Sequence, residues 1–325
     1  MIKNLLLIDK VNQQEIRCPC YTYSTQRRSS ETVRRITFQF SHFMAVKPCH
    51  NVNVDTTFLI WLIGFVEGDG SFIISHNKVY FDLTQDLKDI NLLYEIKSVL
   101  GFGTILTRTD KHRNVGVFYV TGKSNFVRLA HLFNGNLITN HKKKQFKAWL
   151  SVLNKQYYFE IEAIDSDIKP CFNNSWLSGF IDAEGYFAAR VRSCNTSKSG
   201  KNLLIDFAIA QKQPNVLILI RNLFNIKTRT NIRFDPSWKG YVFYLSNKQS
   251  LIYLVKYLQR FCLKTKKRVD FSMWSKIHKL SMKKVHLTEH GLIEIIKLCN
   301  WKNDSFATFA RSQRCSAGPK ARVKS

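Results

Sequence analysis

The stretch WLIGFVEGDGSF at positions 61–72 is written a second time, in altered letters, as WLSGFIDAEGYF at 176–187. Trp, Leu, Gly, Phe, an acid, a small residue, a second acid, Gly and a closing Phe recur in the same order. A long internal repeat restricts the fold more than composition does, because each copy has to be one structural unit used twice. The segments downstream of each copy also match. After the first come the alternating stretch SFIISHNKVYFDLTQ (71–85), the amphipathic DINLLYEIKSVLGFG (89–103), FYVTGKS (118–124), a helix and the basic run HKKKQFKAW (141–149). After the second come YFAARVRS (186–193), LLIDFAIAQ (203–211), NVLILIRNLFNI (215–226), YVFYLSN (241–247), QSLIYLVKYLQRF (249–261) and the basic run LKTKKRVDF (263–271). The periodicities give helix, two strands, helix, two strands, helix in each half. The expected fold is therefore α+β, two pseudo-symmetric repeats of roughly αββαββα, and 325 residues suit two units of ordinary size. We bound the repeats at 55–155 and 173–285, joined by a linker over 156–172. Residues 1–54 are expected to be a poorly ordered leader or linker outside the main fold, and 286–325 a C-terminal extension with a disordered end.

The repeated segment reads as a short helix. Asp55 or a neighbouring Thr is placed to cap the first copy and Asn174 or Ser175 the second, while Gly70 and Gly185 suit a left-handed residue just past the end. Gly64 and Gly68 lie four apart on one face, and Gly179 and Ala183 hold the matching positions. Small residues so spaced let two helix backbones approach closely, so the two copies are expected to meet helix to helix. Asp69 and Glu184 then arrive together at one end of that interface. A carboxylate at a helix C-terminus opposes the macrodipole by roughly 0.3–1 kcal/mol, and two close together repel. A divalent cation is the simplest offset, being held by hard oxygens and substrate phosphates. Glu67 and its counterpart Asp182 are left open at this level, as caps, bridges or mere neighbours.

Charge narrows the partner. Lys and Arg number 50 against 23 acids, net +27, which points to a polyanion, nucleic acid ahead of an anionic membrane. FLIWLIGFV (58–66) and VLILI (216–220) fall far short of the roughly 20 residues that span a bilayer, so no membrane partner is expected. The spacing of the eight cysteines suggests no disulfide framework, and Cys18 and Cys20 with Cys49-His50 fit no common zinc module. Residues 21–43 have the Arg, Ser and Thr content of a transit peptide but begin late for one. In the strands after each motif, Ser71, Ile73 and Ser75 share one face, and Tyr186, Ala188, Arg190 and Arg192 another. Two twisted sheets with such outer faces make a saddle that can follow a duplex groove.

LIGFVEGDG (62–70) and LSGFIDAEG (177–185) resemble the paired signature motifs of the LAGLIDADG homing endonucleases in their single-chain form, over roughly residues 55–275. The resemblance implies motif helices packed at a pseudo-twofold axis and a β-saddle over double-stranded DNA. It implies metal binding by Asp69 and Glu184 with the carbonyls of Gly68 and Ala183, the metal being Mg²⁺ or another divalent ion such as Mn²⁺. It further implies a catalytic lysine per repeat, Lys144 and Lys266 when the basic runs are aligned, with Lys142 and Lys264 as alternatives, and solvent-orienting Gln85 and Gln211. Asp86 and Asp89 stand where the family would lead one to expect a basic residue. The candidate DNA-facing residues are Ser71, Ile73, Ser75, Asn77, Asp82, Thr84, Arg108, Tyr186, Arg190, Arg192, Arg229 and Arg233. The expected activity is site-specific double-strand cleavage by a monomer acting as a pseudo-dimer. The alternative is an intron RNA maturase. An organellar intron is the expected coding location, mitochondrial before chloroplast.

Overall fold

A computed structural model of the chain describes residues 34–51, 54–109, 114–195, 200–226 and 231–300. The chain enters through β1 (Arg34–Arg35) and α1 (Ser41–Val46). The first repeat is α2 (Thr56–Asp69), β2 (Gly70–Ser75), β3 (Lys78–Asp86), α3 (Ile90–Leu100), β4 (Thr104–Thr109), β5 (Asn114–Val120), α4 (Lys123–Phe133) and α5 (Asn140–Tyr157). After β6 (Asp165–Ser166) the second repeat is α6 (Trp176–Glu184), β7 (Gly185–Ser193), β8 (Lys201–Gln211), α7 (Asn215–Leu223), β9 (Ile232–Asp235), β10 (Gly240–Leu245), α8 (Lys248–Arg260) and α9 (Lys267–Met282), and α10 (Glu289–Cys299) comes last. Each repeat thus has one helix more than αββαββα, because the basic run is itself the start of a helix, α5 or α9.

The sheets are antiparallel and ordered alike, β2-β3-β5-β4 and β7-β8-β10-β9. Alternation buries one face of each under helices. Phe72 on β2 meets Phe81, Phe133, Phe146 and Trp149, and Phe187 on β7 meets Phe207, Phe271 and Trp274. Ile74, on the same face as Phe72, lies at the strand end and is 41% exposed. Helix α2 is apolar nearly all round and buried from Phe58 to Glu67, with Ile60 half-covered, as a helix enclosed by its own sheet and by α6 has to be.

Several expectations change. Residues 34–51 are not a leader outside the fold. Phe40 and Phe43 are buried in the main core, and burying side chains of that size contributes about 1.5–3 kcal/mol each. Polar bonds fix the segment further: Arg35 donates to the Asn134 carbonyl at 3.0 Å, and Gln39 and Asn136 exchange two bonds at 2.9 and 2.8 Å. Strand β1 pairs in parallel with β6, so part of the linker is tied to this entry segment. The extension after 285 also belongs to the fold as far as α10, whose Leu292 and Ile295 are buried. Residues 1–33, with Cys18 and Cys20, and the tail from 301 lie outside the described residues. Among those described, no helix is long and apolar enough to cross a membrane.

The helix ends are partly as expected. Asp55 caps α2, accepting from Thr57 N at 2.8 Å. At α6 Asn174 accepts from Trp176 N at 3.0 Å, while the Ser175 hydroxyl crosses to the Thr57 carbonyl at 2.5 Å. Gly70 and Gly185 are not left-handed: both are extended, with φ −80° and −77°, because the strand starts at once. Glycine is needed there for room, since a Cβ would stand 2.6 Å from Val66 or Ile181 of the preceding turn.

Candidate active site

The site is built on the contact between α2 and α6. A Cβ on Gly64 would run into the Trp176 carbonyl, and one on Gly179 into the Trp61 carbonyl, so each glycine admits the other helix's backbone. A Cβ on Gly68 would likewise collide with that of Ala183. Gly64, Gly68, Gly179 and Ala183 therefore line the interface as expected. At its end the carboxyls of Asp69 and Glu184 come together. Burial raises both, and the Asp69 charge adds to it for Glu184, which is pushed up to about 7. Opposing this are Lys267, the glutamine amides and Lys142. Gln85 donates to Asp69 at 2.8 Å and Gln211 bonds Glu184, which puts both expected glutamines at the acids.

The lysines differ from the aligned pair. Lys144, on α5, and Lys266, the residue just before α9, are both exposed. Lys266 contributes its backbone N–H to Asp89 at 2.8 Å. Lys264 pairs with Glu95 at 2.5 Å and lies over the Phe58 and Trp61 rings. The amines that face the acids belong to Lys142 and Lys267. Lys142 is buried, donates to the Gly70 carbonyl, and is attracted by Glu67, Asp69, Glu184 and Asp82, while burial lowers its pKa. Lys267 donates to the Ala183 carbonyl at 2.6 Å and favours the charged forms of both Asp69 and Glu184. Aligning the basic runs could not find this pair. Lys142 stands three residues after Thr139, Lys267 two after Thr265, so the two amines arrive from different helical positions.

Those two threonines mark what Glu67 and Asp182 do. Glu67 accepts from the backbone N–H groups of Ile138 and Thr139 at 2.6 and 2.7 Å, ahead of α5, and from the Trp176 indole at 2.7 Å. Asp182 accepts from Lys264 N and Thr265 N at 2.8 and 3.0 Å, ahead of α9, from the Thr265 hydroxyl at 2.6 Å, and from the Trp61 indole at 2.9 Å. Each acid therefore receives the N-terminus of a helix in its own repeat and an indole from the other. These donors favour the anions, but burial dominates and raises both, Glu67 to about 7. Asp86 and Asp89 also act as caps: Asp86 accepts from Lys88 N at 2.8 Å, and Asp89 reaches across to α9.

The outer faces of the sheets carry the remaining candidates. Thr84, Arg108 and Asn77 are exposed, the last in the tight turn between β2 and β3 at φ 57°. Ser71, Ile73, Ser75, Asp82 and Tyr186 are half-buried, and Ser71 bonds the Asp82 opposite it. Arg192 is exposed, whereas Arg190 pairs with Asp206 at 3.1 Å. Arg233 lies over the Tyr244 ring. Arg229 is outside the described residues. Among the described residues no cluster of three or more His, Cys, Asp or Glu is poised to hold a metal, and Cys49 is a free thiol.

Residues 62–153 and 177–278 match the sequence model of the LAGLIDADG endonucleases, once per repeat. Among curated proteins, the probable intron-encoded endonuclease 4 of Neurospora crassa is 36% identical over 77% of this chain, which spans 45% of that relative. The intron-encoded RNA maturase bI4 of Saccharomyces cerevisiae is 25% identical over 69% of this chain, which spans 34% of it. Among solved structures, the meganuclease I-SmaMI bound to uncleaveable DNA superimposes with a TM-score of 0.62 at 19% identity, covering 75% of this chain and 98% of that one.

Proposed function

Because this chain belongs to the LAGLIDADG endonuclease family, we propose that it is a site-specific double-strand DNA endonuclease of intron homing. The observation that carries the reading is the meeting of Asp69 and Glu184, one from each repeat, at the end of the α2–α6 contact. The duplex would lie on the outer faces of the two sheets, with its two scissile phosphates over the paired acids. The donor set fits a hard divalent cation such as Mg²⁺ or Mn²⁺. It consists only of oxygens, from two carboxyls that lack full compensation and the carbonyls of Gly68 and Ala183; the latter keeps a lone pair beside Lys267. Bound there, such ions would make a water nucleophilic and stabilise the leaving oxygen. Gln85 and Gln211 hold the acids in place. Lys142 and Lys267 bring positive charge to where charge grows on each phosphate.

Asp69→Asn with Glu184→Gln tests this. Cleavage of DNA carrying the uninterrupted host gene should fall roughly 10⁴-fold or more while gel-shift affinity persists. Unchanged cutting by the double variant sinks the proposal. The maturase reading is kept for one reason, the similarity to a maturase of Saccharomyces cerevisiae. It needs the basic surface but not the acids, so intron splicing that survives in the same variant would support it. We place the coding sequence in an intron and the protein in the mitochondrion, acting as a monomer. The support is the intron-encoded fungal relatives and the duplication within one chain.

A further inference from the structure

The two sheet faces that would meet DNA, if the chain is the endonuclease proposed, are chemically unequal. Matching Gln85 with Gln211 sets Asp82 against Ala208, Thr84 against Ala210 and Asp86 against Lys212. Polar and acidic groups in one repeat are replaced by methyls and a cation in the other. Trp238, in the turn between β9 and β10, closes over those methyls and packs with Ala208, Ala210 and Val242, which it leaves 4%, 1% and 7% exposed. Gly240 makes room for it, since any Cβ there would enter the ring. The single donor of the indole is engaged by the Asp235 carboxyl. Lys212 lies over the ring, its Nζ 5.0 Å from the centroid, and donates to the Trp238 carbonyl. With its N–H engaged, the indole offers only carbon to a base edge brought against it.

We propose that Trp238 is a specificity-determining residue that reads thymine methyl groups in the half-site under the second repeat, with Lys212 steering a neighbouring phosphate; this rests on the endonuclease reading. In the major groove thymine presents a C5 methyl beside its O4 acceptor, whereas the other base edges offer only donors and acceptors, which an indole leaves unpaired. At the positions of the first repeat that match Ala208 and Ala210, Asp82 and Thr84 offer polar groups instead.

The test uses the full chain without divalent cation to select duplexes from a randomised library spanning both repeats. The winning duplex is then remade with uracil in place of each thymine, which removes only the methyl. Thymine should be enriched in one half-site, and uracil there should weaken binding about fourfold per contacted methyl. Uracil in the other half-site should have no effect. Trp238→Phe should keep the uracil penalty and Trp238→Ala should erase it, with melting curves confirming that both fold. Because the uracil comparison needs no variant, a misfolded Trp238→Ala still leaves a decision. A chain that selects DNA yet is indifferent to uracil overturns the inference alone. A chain that enriches no DNA overturns the functional reading, and this inference with it.

Discussion

Two lysines two residues apart on one helix turn have opposite environments, and a pair of single variants can tell them apart. Lys142 is buried among the acids and Lys144 faces solvent. Lys142→Met should lower cleavage by roughly 10²–10³-fold with little change in DNA affinity, as expected on losing a group that meets charge in the transition state. Lys144→Met should leave the rate nearly unchanged; equal losses in both would remove Lys142 from the site. Glu184 gives a second prediction. Its folded pKa is about 7 against an ordinary 4.5, so the folded chain binds a proton that the unfolded chain releases. That contribution to stability is fully present below about 4.5 and is lost as pH rises through 7. Without divalent cation, the melting temperature should therefore fall over this interval more steeply in the wild type than in Glu184→Gln. Parallel curves would remove Glu184 as the cause.

At the level of elements, the α2–α6 contact depends on atoms that are absent. Gly179→Ala places a methyl against the Trp61 carbonyl, and overpacking of this kind costs about 1–3 kcal/mol or more, readable as a lowered denaturation midpoint. An unchanged midpoint would mean that the helices part without cost. This contact was legible from the repeat alone, since small residues four apart in both copies have little other purpose. The acids at its end were legible for the same reason. What stayed hidden was settled across sequence distance. The roles of Glu67 and Asp182 depend on where α5 and α9 begin, and neither Ile138 nor Lys264 advertises that its N–H needs an acceptor. The extended backbone at Gly70 and Gly185 was missed because a strand starting without a turn leaves the same Gly signal as a helix stop. Residues 34–51 lie in basic, hydroxyl-rich surroundings that read as a leader, although Phe40 and Phe43 are the apolar anchors within them.

For the whole molecule, a net charge of +27, most of it carried by the second repeat, would make the proposed DNA binding an electrostatic event first. The logarithm of affinity should fall linearly with the logarithm of salt, by about 0.9 per phosphate neutralised, and the slope should be nearly the same for cognate and unrelated duplexes. A slope near zero, measured by fluorescence anisotropy, would place the DNA away from the basic surface. The crossed bonds of Trp61 to Asp182 and Trp176 to Glu67 bear on a different question, how such a protein recombines with its relatives. A chimera that takes one repeat from a cousin inherits half of each bond, so a donor half lacking either its tryptophan or its acid leaves a buried partner stranded on the resident side. Successful shuffling is thus confined to halves that bring both residues, and the fold itself screens which inherited halves can be joined.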